Sequence, residues 1–362
     1  MSAREAGPEF RAGNHWIGFG HPTYFIADIA ANHNGSLQEA KELIRLAKEA
    51  GADAAKFQHF RAEKIVSKYG FEALKTRLSH QSKWQKPVFE IYQDASVPWE
   101  WTEALEEAAK KEQIDFFSAP YDLEAIEMLD PYVMAYKVGS GDINWEESLQ
   151  RMASKKKPVF LATGASTMKE VKRAVEIITA IHPQLCLMQC NTNYTGSAEN
   201  LNHIHLNVLK TFSEKFPDLV LGLSDHTAGH ATVLGAVALG ARVVEKHFTR
   251  DRRQTGPDHP FSMDPEAWRE MVDRTRELEM ALGHADKTIA ANEIQTALIQ
   301  RRCCRAARDL KKEHVLGRQD IDVLRPVTPG AFLPSDIEGL IGKKLTKDLT
   351  TGEPFLKESI GA

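Results

Sequence analysis

Short apolar runs alternate with longer amphipathic segments over most of the chain. Runs with the length and composition of buried strands lie at residues 24–30, 54–58, 115–120, 135–140, 158–163, 185–190, 219–224 and 242–248. Helical segments fall between them, and a strand, a helix and a second strand in succession favour parallel pairing. Eight such alternations within about 260 residues favour a closed barrel over an open sheet. The sequence therefore predicts an α/β chain that forms a (β/α)₈ TIM barrel.

Polar caps mark the start of three predicted helices. Each cap is a side chain that can accept a hydrogen bond from a free backbone N–H group of the first helical turn. The three starts are Ser36 with Glu39, Thr167 with Glu170, and Asp264 with Pro265 at the first helical position. We expect helices to begin directly after Ser36, Thr167 and Asp264.

The segment from 60 to 112 is longer than a single crossover helix requires. We expect it to include an insertion over the ligand-binding face of the barrel. It contains Trp84, Trp99 and Trp101, for which ordinary helix packing is favoured over stacking on a substrate. Residues 1–23 are polar and contain glycine, and we interpret them as an N-terminal cap.

The alternation of strands and helices stops after Gly283. Residues 284–300 have the character of a linker with some helix, and residues 301–362 are short strand-like pieces broken by glycine and proline. The predicted organisation is a barrel at 1–283, a linker at 284–300, and a small domain of mostly β and loop structure at 301–362.

The composition is that of an ordinary globular protein and gives no support for nucleic acid as a partner. The 362 residues are 42% hydrophobic and 27% charged, and a net charge of −4 makes no electrostatic case for nucleic acid. The N-terminus has no apolar signal core, and no apolar run approaches the ~20 residues that span a membrane. The four cysteines favour reduced thiols over disulfides. We expect a cytoplasmic protein without a membrane segment.

Two histidines follow neighbouring predicted strands. His226 follows the run at 219–224, and His247 ends the run at 242–248. The carboxyl ends of parallel strands meet at the ligand-binding face of such folds. A single histidine there is more often a hydrogen-bonded structural residue, but a pair at equivalent strand ends makes a shared metal ion an equal alternative.

Other polar residues fall at the same strand ends. Lys56 and Lys137 lie inside apolar runs, which is costly without an anionic partner. With Ser140 and Ser224 they suit a phosphate and a carboxylate group. Asp258 lies in a loop that is equally consistent with an ordinary turn and with a site that binds hydroxyl groups. The further strand-end candidates are Asp28, Gln58, Ser118, Asp142 and Tyr194.

These residues belong to longer motifs that resemble a known family. The stretches NHNGS, KFQ, AYKVGSGD, TGAST, GLSDHT, GAVALGA, EKHFT and GPDHPFS, spread over residues 24–263, are similar to the sialic acid synthase family, which condenses phosphoenolpyruvate with an aldose. The C-terminal segment resembles that family's antifreeze-protein-like domain through Arg325-Pro326, LIGKKL and TTGEP. Together the matches cover nearly the whole chain.

The resemblance assigns roles to individual residues. It implies that His226 and His247 bind a divalent metal, usually Mn²⁺, with Mg²⁺ or Co²⁺ as alternatives. It implies phosphoenolpyruvate binding by Lys56, Lys137, Ser140 and Ser224, and sugar contacts by Gln58, Tyr194 and Asp258. Asp28 takes the proton-handling position. Arg325 would reach the partner subunit's site in a domain-swapped homodimer.

This chain departs from the family pattern at several of these positions. The family usually has glutamate where Asp28 stands, and many members have glutamate at Asp142. Ala119 and Ala162 replace hydroxyl residues, and Thr192 stands where asparagine is common. Since Asp is one methylene shorter than Glu, these changes indicate an altered acceptor or an altered geometry.

The function implied is a synthase that forms a nonulosonic acid. The metal would polarise the aldehyde of an N-acylmannosamine-like sugar, the enol carbon of phosphoenolpyruvate would attack it, and phosphate would leave by C–O cleavage after water adds. Two alternatives stay open. One is a related aldol-type synthase that acts on a different aldehyde, and the other is a non-catalytic protein that binds sugar phosphates.

Overall fold

A computed structural model describes residues 7–74 and 86–361, so Trp84 lies outside the described residues. The chain divides into two compact units, Met1–Gly283 and His284–Ala362. Each is described by itself.

A β-hairpin that the sequence did not predict opens the first unit. β1 (Glu9–Ala12) pairs antiparallel with β2 (His15–Gly18). The side chain of Asp115 holds the hairpin to the amino end of the barrel, because its Oδ2 lies 2.7 Å from His15 Nδ1 and accepts a hydrogen bond of 2.7 Å from the Tyr24 hydroxyl. A Cβ at Gly13, in the turn, would lie 2.8 Å from Asp115 Oδ1, so this close approach requires glycine.

Eight parallel strands close into the predicted TIM barrel. They are β3 (Tyr24–Asp28), β4 (Ala54–His59), β5 (Asp115–Pro120), β6 (Tyr136–Val138), β7 (Val159–Ala162), β8 (Leu185–Cys190), β9 (Val220–Asp225) and β10 (Val243–His247). They follow one another around the barrel in chain order, and β10 closes against β3. Each strand falls on one of the predicted apolar runs, so the fold prediction is confirmed.

Helices connect the strands on the outside of the barrel. They are α1 (Leu37–Glu49), α2 (Ala62–Ile65), α3 (Lys68–Leu74), α4 (Val88–Ala95), α5 (Thr102–Glu112), α6 (Leu123–Leu129), α7 (Glu146–Ser154), α8 (Met168–Thr179), α9 (Val208–Lys215), α10 (Ala231–Ala238) and α11 (Pro265–Leu282). The three predicted starts are confirmed, because the side chains of Ser36, Thr167 and Asp264 each accept a backbone hydrogen bond from the first turn.

The long connection between β4 and β5 contains α2 to α5, as its length predicted. The two described tryptophans of this connection contact protein groups. The Arg61 guanidinium carbon lies 4.6 Å from the centre of the Trp99 ring, and the Trp101 ring meets His33 edge-on at 5.7 Å. Packing, rather than substrate stacking, accounts for both contacts.

Strand register sorts the side chains into inward and outward sets. Lys56 pairs with Asp28 on β3 and with Phe117 on β5, and Lys137 pairs with Phe160 on β7. Partners in register point to the same face of the sheet. Phe117 stacks on Phe160 with ring centroids 5.3 Å apart, and both are fully buried. The side chains of both lysines therefore point into the barrel, as those of Phe117 and Phe160 do.

The second unit has its own small core. It contains α12 (Ile294–Gln300), an antiparallel pair of β11 (Cys303–Ala306) and β12 (Ile321–Leu324), and α13 (Ile337–Leu340). Isolated β-bridges and loops make up much of the rest. The core residues include Cys304, Leu316, Ile321, Leu340 and Phe355. This is the small domain of short strands and loops that the sequence predicted.

Of the helices within the described ranges 7–74 and 86–361, none combines the length and the apolar character needed to cross a membrane.

The inward phenylalanines give a test of the barrel interior. We expect Phe117→Ala to lower the free energy of unfolding by about 3–5 kcal/mol, because it opens a cavity beside Phe160. Tyr69→Ala is the control, since Tyr69 is 83% exposed and its loss should change stability by no more than ~0.5 kcal/mol. All six tryptophans precede residue 284, so denaturant unfolding followed by tryptophan fluorescence reports on the barrel unit. Equal stabilities of the two variants would contradict the assignment of Phe117 to the interior.

Candidate active site

A cavity of about 420 Å³ opens at the carboxyl ends of the barrel strands. Its walls come from strand ends all around the barrel and from α2 and α4. Eleven of the residues predicted from the sequence line it: Asp28, Lys56, Gln58, Lys137, Ser140, Asp142, Tyr194, Ser224, His226, His247 and Asp258. The volume lies within the ~300–1,000 Å³ that is usual for small-molecule sites.

Two buried lysines and two buried carboxylates form the floor of this cavity. Lys56 Nζ donates to Asp28 Oδ2 at 2.7 Å and lies 3.8 Å from Glu245 Oε1. Lys137 Nζ lies 3.6 Å from the same Glu245 oxygen and donates to the Val138 carbonyl at 3.0 Å. All four charged side chains are 5% exposed or less. We call Asp28, Lys56, Lys137 and Glu245 the charge layer.

The charge layer keeps Lys56 protonated. Burial by itself lowers the pKa of Lys56, but the carboxylates of Asp28 and Glu245 outweigh that effect and raise it. The formal charges of the four groups balance, which is why they can be buried together. An anionic ligand in the cavity would share the lysine protons with these carboxylates.

Glu245 was not among the residues predicted to form the site. It lies in register with Ser224 on β9, and the Ser224 hydroxyl donates to its Oε1 at 3.3 Å. Its Oε2 is buried without a hydrogen-bond partner among the described residues. The signal was available in the sequence, because Glu245 interrupts an apolar run just as Lys56 and Lys137 do.

The two histidines meet beside the charge layer. Their ring centroids are 5.3 Å apart. His226 Nδ1 lies 2.9 Å from the Asn191 carbonyl, and donation to that carbonyl would make Nε2 the nitrogen that carries the lone pair. Burial and the positive neighbours hold the pKa of His247 well below its usual value, so this imidazole is neutral. Burial lowers the pKa of His226 too, but the Cys190 thiol and the Asn191 carbonyl outweigh it and raise that pKa.

The donor set suits a divalent cation that the protein holds by two ligands. His247 Nδ1 is buried without a hydrogen-bond partner among the described residues, 4.0 Å from Asp258 Oδ2, and His247 Nε2 lies 3.7 Å from Asp28 Oδ2. Residues 7–74 and 86–361 contain no group of three His, Cys, Asp or Glu side chains arranged to hold one ion. Imidazoles with nearby carboxylates fit a first-row transition metal whose other positions are left to substrate and water.

Close packing shapes the cavity wall next to Lys137. The Ser140 hydroxyl accepts a hydrogen bond of 2.9 Å from the Gly164 N–H. A Cβ at Gly164 would lie 2.4 Å from Thr192 Cγ2, 2.9 Å from Ser140 Oγ and 3.1 Å from Cys190 Sγ. Glycine is therefore required there, and Thr192, one of the departures from the family pattern, packs against it.

Further acidic and aromatic groups line the wider part of the cavity. Burial raises the pKa of Asp142 to about 6 although Lys137 opposes the shift, and burial raises the pKa of Asp258 to about 6 although the Ala31 N–H donates to it at 3.1 Å. The Tyr194 ring packs on His226 with centroids 4.3 Å apart. Tyr92 and Tyr121 also line the cavity. They were missed because no local pattern distinguishes a tyrosine of the wall from one of the core.

Two predicted site residues lie elsewhere. Ser118 pairs in register with Phe57, whose neighbours Lys56 and Gln58 face the cavity, so Ser118 faces outward. Its hydroxyl donates to the Phe57 carbonyl at 2.9 Å and lies 2.7 Å from His59 Nδ1, so the structure does not bring it to the cavity. Arg325 lies exposed in the second unit. Its contribution to a partner subunit's site stays a prediction.

Comparison with known proteins identifies the class of protein that this fold and cavity represent. The chain belongs to the NeuB family, which matches residues 43–287, and a SAF domain matches residues 301–360. It is 36% identical to the N,N'-diacetyllegionaminic acid synthase of Legionella pneumophila over 94% of this chain and 95% of that protein. It is 34% identical to a pseudaminic acid synthase of Campylobacter jejuni over 93% of this chain and 96% of that protein.

A solved structure gives the same result. The crystal structure of N-acetylneuraminic acid (sialic acid) synthetase from Leptospira borgpetersenii in complex with citrate is 29% identical with a TM-score of 0.70, and the match covers 80% of this chain and 95% of that chain. The relatives are synthases of nonulosonic acids, and the chain is an enzyme of that synthase class. The family resemblance seen in the motifs, including the antifreeze-like domain, is confirmed.

The raised pKa of Asp142 gives a pH-dependent prediction. The folded protein keeps this carboxyl protonated up to about pH 6, whereas the unfolded chain ionises it near its ordinary value of 3.8. Stability therefore falls as the pH rises between these values and stays lower above them. We expect Asp142→Asn to be about 1–2 kcal/mol more stable than wild type at pH 8, because partial exposure reduces the full effect.

Thermal unfolding without ligands at pH 5 and pH 8 measures this difference. The advantage of Asp142→Asn should shrink at pH 5, where part of the wild-type penalty is absent. Asp218→Asn is the control, because Asp218 is exposed. An advantage that is equal at both pH values, or that grows toward low pH, would contradict the burial of the Asp142 carboxyl.

Proposed function

We propose that this chain condenses phosphoenolpyruvate with an N-acylated, mannosamine-like aldose to form a nonulosonic acid and phosphate, with the help of a divalent metal. One observation carries the proposal. Two lysines are buried at the floor of a cavity of about 420 Å³, directly beside two histidines whose ring centroids are 5.3 Å apart. This arrangement offers an anion site and a Lewis-acid site within one small space.

Phosphoenolpyruvate fits the floor of the cavity. Its phosphate and carboxylate would take hydrogen bonds from Lys56 and Lys137 and from the hydroxyls of Ser140 and Ser224. The bound anion would compete with Asp28 and Glu245 for the lysine protons. Because the lysines are held in place before the ligand arrives, little side-chain freedom is lost on binding.

We propose that His226 and His247 would hold Mn²⁺, as the family resemblance implies, with Mg²⁺ or Co²⁺ as alternatives, and that the ion when bound would supply Lewis-acid polarisation of the aldehyde. Protein residues orient the imidazoles and bind the sugar. Asn191 fixes the tautomer of His226, and Tyr194 and Phe261 pack against the imidazoles and restrict water. Gln58 and Asp258 are placed to bind the hydroxyl groups of the sugar.

Proton handling has two candidate carboxylates. Asp28 replaces the family's glutamate, and its Oδ2 is already engaged by Lys56 at 2.7 Å and by Gln58 at 3.0 Å. Glu245 Oε2 has no hydrogen-bond partner among residues 7–74 and 86–361 and belongs to the same charge layer. We propose that Asp28 orients the Lys56 ammonium group and that Glu245 shares the proton handling assigned to Asp28.

A second candidate function is condensation with a different aldehyde. It is favoured by Ala162, which lines the cavity where the family pattern has a hydroxyl residue. The three relatives are named for three different nonulosonic acids, so family membership leaves the acceptor open. A purely binding role does not agree with the synthase class to which the chain belongs. The cytoplasmic location and the domain-swapped homodimer with Arg325 stay predictions.

Phosphate release tests the reaction itself. We expect Mn²⁺-dependent release of phosphate from phosphoenolpyruvate with one member of a panel that includes N-acetylmannosamine and diacetamido-trideoxyhexoses. Chelation should abolish release, and the product mass should equal that of the acceptor plus one molecule of pyruvic acid. Release without any acceptor, or an acceptor-dependent product that persists after complete removal of metal, would contradict the proposed chemistry.

Two substitutions separate the anion site from the metal site. We expect Lys137→Met to weaken phosphoenolpyruvate binding and to lower kcat/KM by at least ~100-fold, since it removes one partner of a buried charge contact. Mn²⁺ binding should persist in that variant. His226→Ala should show the opposite pattern, with lost Mn²⁺ binding and retained phosphoenolpyruvate binding.

Titration calorimetry with each ligand measures both effects, and circular dichroism checks the fold. Lys155→Met is the matched control, because Lys155 pairs with Glu127 on the outside of the barrel. Full activity of His226→Ala would contradict the metal assignment, and unchanged phosphoenolpyruvate affinity of Lys137→Met would contradict the anion site.

A further inference from the structure

A second buried ion pair lies directly behind the two histidines. Lys246 Nζ lies 2.5 Å from Asp225 Oδ2, and the side chains of both residues are 1% exposed. Neither residue lines the cavity. They precede His226 and His247 in the chain, so strand alternation turns them to the outside of the barrel while the histidines face inward.

This pair ties β9 and β10 together near their carboxyl ends, next to the two histidines. Asp225 and Lys246 are direct partners in the register of β9 and β10. Lys246 Nζ also donates to the Thr227 carbonyl at 2.7 Å. Lys246, which precedes His247, therefore bonds to both chain neighbours of His226, to the Asp225 carboxylate and to the Thr227 carbonyl.

Asp225 also closes a turn around His226. Its Oδ1 accepts from the Thr227 N–H at 3.2 Å, and its Oδ2 accepts from the Thr227 hydroxyl at 2.9 Å and the Thr232 hydroxyl at 2.7 Å. Four groups, three from Thr227 and one from Thr232, thus converge on one lysine and one aspartate. We call this set, Asp225, Thr227, Thr232 and Lys246, the outer clamp.

Stability alone does not account for the outer clamp. A buried ion pair contributes little net stability over an apolar pair of the same volume, because desolvation offsets most of the attraction. What such a pair does provide is directional bonding that fixes one backbone geometry. Here that geometry is the separation and orientation of two imidazoles.

We propose that the outer clamp positions His226 and His247 for a divalent cation and thereby sets the affinity of the site for that ion. This inference rests on the proposed metal site. Its members are positioning residues, since they contact neither the cavity nor the ion. The structure provides no third side-chain ligand among the described residues. The affinity for the ion therefore depends on how well the two imidazoles are aligned.

The test compares Mn²⁺ affinity in full-length variants by electron paramagnetic resonance, which counts free ion. Asp225→Asn combined with Lys246→Met removes both charges together and so avoids leaving one charge buried alone. We expect its Kd for Mn²⁺ to rise about 10–100-fold, the range seen when outer-shell partners of metal ligands are lost. Phosphoenolpyruvate affinity measured without metal should stay within about threefold of wild type.

Kinetics supply a readout that a general loss of stability would not reproduce. We expect the metal concentration for half-maximal activity to rise with the Kd, while kcat at saturating Mn²⁺ stays within about threefold of wild type. The control is Glu146→Gln with Arg173→Met, which removes an exposed ion pair on the outer helices and should change neither value.

The outcomes distinguish this inference from the proposed function. If wild type binds no Mn²⁺, or if His226→Ala binds it as well as wild type does, the metal site itself is wrong. If wild type binds Mn²⁺ and the folded double variant binds it with the same Kd, the outer clamp has no positioning role. If the double variant does not fold, Thr232→Val removes a single bond to Asp225, and a Kd equal to that of wild type there overturns the inference.

Discussion

The structure depends on four charged groups buried at the mouth of the barrel. Lys56, Lys137, Asp28 and Glu245 are each 5% exposed or less, and Lys56 and Lys137 lie 2.7 Å and 3.6 Å from their nearest carboxylate oxygens. Loss of one member leaves an unpaired charge, which typically costs about 3–5 kcal/mol. Any anionic ligand that binds at this floor must therefore take over some of the contacts that Asp28 and Glu245 make with the two lysines. Because the two histidines lie beside these groups, this requirement connects anion binding to the histidine site.

Because side chains alternate between the two faces of a strand, the residues at the carboxyl ends of β9 and β10 fall into an inward and an outward group. The inward residues Ser224, Glu245 and His247 face the cavity with His226. The outward residues Asp225 and Lys246 bond to each other and to Thr227. Under the proposed positioning role, the two histidines would be oriented by bonds made outside the cavity, and their own ring nitrogens would be left available for a ligand.

The sequence predicted the barrel and most of the cavity because both depend on short-range patterns. Lys56 and Lys137 could be recognised as charges inside apolar runs, and the histidines as residues at strand ends. The sequence placed Ser118 at the cavity because it lies at a strand end, but that position does not show which way the side chain points. The register of Ser118 with Phe57 shows that it points outward. Tyr92 lies on α4, in the long connection between β4 and β5, and only tertiary structure brings it to the cavity. The hairpin of β1 and β2 escaped prediction because its strands, EFRA and HWIG, contain no continuous apolar run of the kind that marks the barrel strands.

The structure of the full chain with phosphoenolpyruvate and Mn²⁺ bound would test the central claim most directly. We expect oxygens of the phosphate and carboxylate groups within ~3 Å of both Lys56 Nζ and Lys137 Nζ, and the ion bound between His226 and His247. Phosphoenolpyruvate bound outside this cavity, with both lysines still paired only to Asp28 and Glu245, would contradict it.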